Sequence, residues 1–184
     1  MSAVYLVAIG SVAPQLMNWV ENAVAEWCPW PVRRLPALTF PEGSFDANRG
    51  QYKSTEIMKM VARCTPADAH RILGVTEGDL AIPTLTFVFG QAQLNGQVAV
   101  VSLARLRQEF YGLPADETLL RERLVKEVLH ELGHTFGLTH CAEAKCVMSL
   151  ATHVGSVDDK EERYCARCAA QVVRQFTASN GESK

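Results

Sequence analysis

Residues 130–140, His130-Glu131-Leu132-Gly133-His134-Thr135-Phe136-Gly137-Leu138-Thr139-His140, constrain this chain more than any other stretch. They read H-E-x-x-H-x-x-G-x-x-H, a pattern that chance would give on the order of once in 10⁵ such chains, since His, Glu and Gly are each uncommon. Residues four apart on an α-helix lie one turn above each other, so His130 and His134 can face one ion together. Glu131 sits beside them but off the metal axis, where its carboxylate can reach a water on that ion. A helix cannot supply the third imidazole, so the chain must turn back. Gly137 permits the turn, because a left-handed backbone costs most other residues roughly 1–2 kcal/mol. His140 then completes a three-histidine zinc site whose fourth position is left for water, as in catalytic rather than structural zinc.

The flanking pattern predicts a rigid support. From Asp116 to Phe136, Leu120, Leu124, Val128, Leu132 and Phe136 recur every four residues, with Val125 and Leu129 widening the stripe. That is the buried face of a long amphipathic helix, with Asp116 placed to cap it. Four cysteines follow: Cys141 and Cys146 as C-x₄-C, then Cys165 and Cys168 as C-x₂-C. Two close thiol pairs suit a closed, structural Cys₄ zinc site, giving two Zn²⁺ per chain. Two disulfides, a redox C-x-x-C and buried free thiols are the competing readings. Ser156 and Asp159 suggest a capping box opening one last helix that carries Cys165, Cys168, Ala169, Val172 and Phe176 on a single face. Cys28 and Cys64 read as core thiols.

These residues carry a family resemblance. The histidine motif resembles that of the metzincin metallopeptidases, whose other hallmark is a methionine turn below the metal; Met148, two residues after Cys146, is the candidate. The combined string from His130 to His140, Cys141, Cys146, Met148 and Cys165-Ala166-Arg167-Cys168 is similar to the archaemetzincin branch. Phe87-Val88-Phe89-Gly90 and the Val98–Leu103 segment also resemble that family. The resemblance implies an α+β, metzincin-like catalytic domain in which a twisted mixed β-sheet packs with the long active-site helix and a C-terminal helix. It also implies Glu131 as general base and the four cysteines as ligands of a second zinc. Ser149 and Leu150 follow Met148, so the tyrosine ligand that some metzincins place there is not expected.

The remaining sequence is that of an ordinary globular chain. Its 184 residues, 48% hydrophobic and 21% charged, fit one domain spanning 1–184, with a frayed polar tail from Thr177 to Lys184. A net charge of −2 offers no field for nucleic acid, and no apolar run approaches the ~20 residues needed to span a bilayer. Val4–Ile9 reads as a first strand and not a signal peptide, which with six cysteines points to a reducing cytoplasm. Strands are further predicted at Val32–Leu38, near an edge because of Pro36, and at Thr84–Phe89 and Val98–Leu103. Helices are predicted at Gln15–Trp27 and from Ser54 to about Ala62, with a long loop over Thr39–Lys53 between them. Trp19, Trp27 and Trp30 are core candidates, His70 and His153 ordinary surface or satisfied core histidines, and Asp158–Glu162 a solvated acidic helix start.

Asn95-Gly96 marks a tight hairpin turn. Gly90–Leu94 is the arm better suited to be an exposed edge that grips a peptide as an added strand; an ordinary hairpin is the plainer alternative. The expected activity is peptide-bond hydrolysis by a zinc-activated water with Glu131 as base. The partner is a peptide or protein substrate, without nucleic acid or membrane, and the chain is expected to act as a monomer. Because the chain opens on its first strand, no pro-segment is expected to mask the metal, which suggests access restricted to short peptides or chain termini. A catalytically silent, zinc-stabilised peptide-binding module is the rival reading, and Glu131, which no scaffold needs, argues against it.

Overall fold

Period-two alternation in the strands lays down two apolar faces, and helices cover both. The computed structural model describes residues 2–181. Its elements run β1 (Ala3–Ile9), α1 (Pro14–Trp27), β2 (Val32–Arg34), β3 (Phe45–Asp46), β4 (Gln51–Lys53), α2 (Ser54–Arg63), β5 (Ala69–Thr76), β6 (Leu80–Ala81), β7 (Gly90–Ala92), β8 (Val98–Ser102), α3 (Glu117–Thr135), α4 (Val154–Asp158) and α5 (Ala166–Gly181), with a 3₁₀ turn at Gln108–Tyr111. The main sheet has the order β2-β1-β5-β8-β7. The pairs β2–β1, β1–β5 and β5–β8 are parallel, and β7 closes the edge antiparallel to β8. Val4, Leu6, Leu73, Val75, Ala99 and Val101 point to one core with α1 and α3. Their neighbours Tyr5, Val7, Ile72, Val98 and Val100 point to the other with α2.

The long helix forms as its sequence predicts. Asp116 caps it, its Oδ1 accepting from the Leu119 N–H at 2.9 Å. Trp27 and Trp30 pack edge-on against Phe176, and both contact Phe136 at the helix end. The mixed sheet, the long helix α3 and the C-terminal helix match the expected α+β architecture.

Several local expectations are corrected. Thr84–Phe89 does not form a strand. Pro83 lacks an N–H, and the Arg49 guanidinium takes the carbonyls of Ile82, Leu85 and Thr86 at 3.3, 2.8 and 2.7 Å, groups a neighbouring strand would otherwise use. The expected loop over Thr39–Lys53 contains β3 and β4, which join β6 in a small second sheet of order β3-β4-β6. β5, the central strand, was not anticipated. The last helix is split: His153 caps α4, with Nδ1 receiving the Ser156 N–H, and α5 begins only at Ala166. It runs to Gly181, so of the tail expected to fray only residues 182–184 lie outside the described part.

The break between α4 and α5 has a physical cause. Arg123 on α3 forks onto Asp158 at 2.6 and 2.7 Å, and Lys126 reaches the Asp158 carbonyl at 3.1 Å. Lys160 then turns inward to Glu127 at 3.2 Å, with side-chain exposures of 0% and 3%. Thus Asp158–Glu162 is not a solvated helix start; two of its residues are anchored to α3. A buried pair adds little net stability, but leaving one partner alone is costly. Lys160→Met should therefore destabilise the fold by ~3 kcal/mol, whereas Lys160→Met combined with Glu127→Leu should restore most of the loss. Urea denaturation of both variants measures this; equal destabilisation of single and double variants would show that the pair is not the anchor.

Candidate active site

The geometry of the histidine cluster begins with how α3 ends. Gly137 has φ +83°, and the chain reverses there through two bonds, Leu138 N–H to the Gly133 carbonyl at 3.0 Å and Gly137 N–H to the His134 carbonyl at 2.9 Å. This Schellman turn brings His140 back to the helix. It also aims the Leu138 carbonyl at His134 Nδ1, 2.7 Å away, while the Val147 carbonyl meets His130 Nδ1 at 2.8 Å. A carbonyl only accepts, so each Nδ1 carries the proton and each Nε2 presents a bare lone pair. The two Nε2 atoms lie 3.1 Å apart. The ligand atoms of His130, His134 and His140 all fall within 4.8 Å of one another.

Lone pairs this close repel unless a cation lies between them. Tetrahedral zinc with imidazole ligands would set nitrogens about 3.4 Å apart, so the donor set fits. Burial and the nearby Lys160 charge hold His130 well below its ordinary pKa; burial lowers His134 and His140 also. All three therefore favour the neutral form that binds metal.

Glu131 is buried on the same helix, its carboxyl pushed well above the usual carboxylate range by burial and by the Glu127 charge, with Lys160 opposing. Gly90 on β7 makes room for it: a Cβ at Gly90 would lie 2.6 Å from Glu131 Cγ. The hairpin tip is tied to the same helix end, the Asn95 N–H donating to the His134 carbonyl at 2.9 Å. Asn95 takes the left-handed conformation there, φ 54°, as the expected tight turn requires. The edge strand and the histidine helix thus form one unit, walling a cleft of about 700 Å³. Glu127 and Lys160 also line this cleft, and the sequence pattern did not single out either.

Met148 is fully buried beneath the helix, and a Cβ on Gly133 would meet its sulfur at 2.5 Å. That explains a glycine in the middle of a core helix. Gly133→Ala should cost about 1–3 kcal/mol by overpacking and should displace the methionine segment. Thermal unfolding reads this, and an alanine variant as stable as the parent would refute the close approach.

The four cysteines expected to share a metal do converge: Cys141, Cys146, Cys165 and Cys168 place their sulfurs within 4.8 Å of one another. Cys141 and Cys165 are 3.8 Å apart, matching the ~3.8 Å sulfur–sulfur edge of a zinc tetrahedron and excluding a bond between them. The Cys165 thiol is drawn down to about 7, led by hydrogen bonding to the Cys168 backbone, while burial raises Cys146 and Cys168. Arg167 adds its guanidinium to Cys141 at 3.2 Å. A divalent cation would let all four ionise together. Cys28 is buried, its thiol raised to about 12 by burial, consistent with an inert core thiol. His70 stacks on Trp30 at 3.7 Å away from the cleft, and burial lowers it to about 4.

Comparison with known proteins agrees with this geometry. The profile of Peptidase family M54 matches residues 41–174. The archaemetzincin of Methanocaldococcus jannaschii is 46% identical over 163 residues, 87% of each chain. This chain belongs to the archaemetzincin family. It is accordingly a zinc metallopeptidase, a hydrolase whose substrates are peptides or proteins. The crystal structure of the Methanopyrus kandleri archaemetzincin superposes with a TM-score of 0.83 at 37% identity, covering 96% of both chains. A zinc-dependent peptidase from Methanocorpusculum labreanum superposes at 0.80 with 33% identity, covering 92% of this chain and 100% of that one. Among the described residues no helix is long and apolar enough to cross a membrane.

Proposed function

We propose that this archaemetzincin is a metzincin-type peptidase with two zinc ions per chain. His130, His134 and His140 would hold the catalytic ion, and Cys141, Cys146, Cys165 and Cys168 the structural one. The observation that carries the reading is the convergence of three imidazoles beside the Glu131 carboxyl, two of them with a bare Nε2, at the wall of a cleft flanked by a sheet edge. Zinc bound there would supply a Lewis acid, lowering the pKa of a water toward ~7 and polarising the scissile carbonyl. Glu131 acts as general base, removing the proton from the attacking water and returning it to the departing amine. Its buried setting raises its proton affinity, which strengthens it as the acceptor of the water's proton. The substrate lies extended along β7, held by main-chain hydrogen bonds.

Access is restricted to short peptides or chain termini, in keeping with a cleft of about 700 Å³. The chain acts in the cytoplasm as a single-domain monomer, without nucleic-acid or membrane partners; its net charge of −2 supports the former. The test is digestion of a peptide library by zinc-loaded protein, with and without chelator, alongside unfolded casein. Chelator-sensitive cleavage of peptides with slow attack on casein is expected. Tight retention of peptides without any turnover would instead make the protein a silent binding module.

A further inference from the structure

We propose that the cleft accepts an internal, uncharged stretch of an extended peptide with apolar residues on both sides of the scissile bond, and not a free chain end. The inference rests on the peptidase reading and chooses between the two kinds of restricted substrate it allows.

The register of the edge strand places the substrate. Phe89 accepts from the Ser102 N–H at 2.8 Å and Gln93 donates to the Val98 carbonyl at 2.9 Å, with Gln91 opposite Val100 between them. Hydrogen-bonded and non-bonded positions alternate along an antiparallel ladder. Phe89, Gln91 and Gln93 therefore turn their backbone groups toward β8, and Gly90 and Ala92 turn theirs outward from the edge. A peptide pairing with Gly90 and Ala92 runs through the cleft that Glu131 lines, next to the point where its side chain packs because Gly90 lacks one. The cleft wall does not stop at that point. It runs from Leu85 through Phe89 on one side of Gly90 and on to Leu94 on the other. The reacting position is thus in the middle of the groove, and bound chain extends past it in both directions.

The lining decides the chemistry. Leu85, Leu94 and Leu150 are each more than half exposed and all border this cleft, an arrangement that leaves apolar surface for apolar side chains to cover. Among the described residues, the ionisable groups lining the cleft besides the three histidines are Glu127, Glu131 and Lys160, all buried, with Glu127 and Lys160 paired to each other. A peptidase that reads an amino terminus needs a carboxylate free to meet it besides Glu131, which the reading commits to the water, and one that reads a carboxy terminus needs a free cation. Arg49, just outside the wall, is committed to three loop carbonyls. An unpaired terminal charge against the leucines would lose its hydration without compensation.

Matched octapeptides test this with zinc-loaded protein: free-ended or acetylated and amidated, with Leu or Glu or Lys flanking the central bond. Capping both ends is expected to leave kcat/KM unchanged or higher, and charged flanks to lower it about tenfold or more. Leu150→Lys, at an exposed position, should shift the preference toward Glu flanks. Binding of the capped peptides to Glu131→Gln, measured calorimetrically, should follow the same order without turnover. Stepwise release of terminal residues, abolished by capping, would overturn the proposal, as would indifference to flanking charge. Selective binding by Glu131→Gln with no cleavage by the parent would uphold the recognition and refute the hydrolytic reading.

Discussion

Glu131→Gln is expected to lower kcat by about 10²–10⁴-fold while leaving zinc content unchanged, because it removes a proton acceptor and no metal ligand. Glutamine is the informative replacement. It keeps the shape that packs against Gly90, where the contact is too close for any added atom. It also removes the like-charge repulsion from Glu127, one turn earlier on α3, so the fold should lose no stability. The KM of a capped peptide should move little, since main-chain pairing along β7 does not involve the carboxyl. Zinc by atomic absorption, unfolding temperature and steady-state kinetics on one preparation separate these effects. Undiminished turnover would remove Glu131 from the chemistry; loss of zinc together with turnover would make it a ligand.

The convergence of the three histidines was legible because its determinants are local. Helix periodicity aligns His130 with His134, a left-handed glycine returns His140, and each step is written in consecutive residues. The cysteine cluster was legible by spacing, although its two halves sit on separate elements. What escaped depends on partners distant in sequence. β5 contains Gly74, a poor strand former, yet a Cβ there would lie 2.7 Å from Ile9 Cδ1, so the central strand needs glycine to admit its neighbour. Thr84–Phe89 has strand-like residues, but Arg49 captures its carbonyls from more than thirty positions away.

The acidic stretch misled for the same reason. Asp158-Asp159-Lys160-Glu161-Glu162 looks solvated until Arg123 and Glu127 are placed opposite it. Charged residues on the buried side of α3 gave little sign of their role, because burial of Arg123, Lys126 and Glu127 becomes intelligible only with the 158–160 segment present. The edge strand was correctly favoured on the Gly90 arm, since glycine and polar residues suit an exposed edge, but its outward register required the ladder itself.

Removing one thiol from the cysteine cluster should disable more than the cluster. Cys168→Ser is expected to reduce zinc from about two to about one per chain and to destabilise the fold by ~5 kcal/mol, a fall of ~10–20 °C in Tm. The reason lies in what the cluster holds. Cys146 precedes Val147, whose carbonyl orients His130, and Met148, whose sulfur supports the helix at Gly133. The Cys141 N–H donates to the Met148 carbonyl at 2.9 Å, and Cys141 directly follows His140. Cys165 donates its N–H to the Cys146 sulfur at 3.3 Å, binding α5 to the same segment. With the thiolate ion gone, the Val147 carbonyl is no longer fixed, and the histidine site should bind zinc about 10–100-fold more weakly, the usual effect of losing an orienting partner. Competition with a chromogenic chelator measures that affinity independently of turnover. A disulfide framework would behave oppositely, indifferent to chelator and sensitive to reductant, and all six cysteines are free in the structure. An unchanged histidine-site affinity in Cys168→Ser would mean that the histidine and cysteine clusters are neighbours in sequence without being coupled in energy.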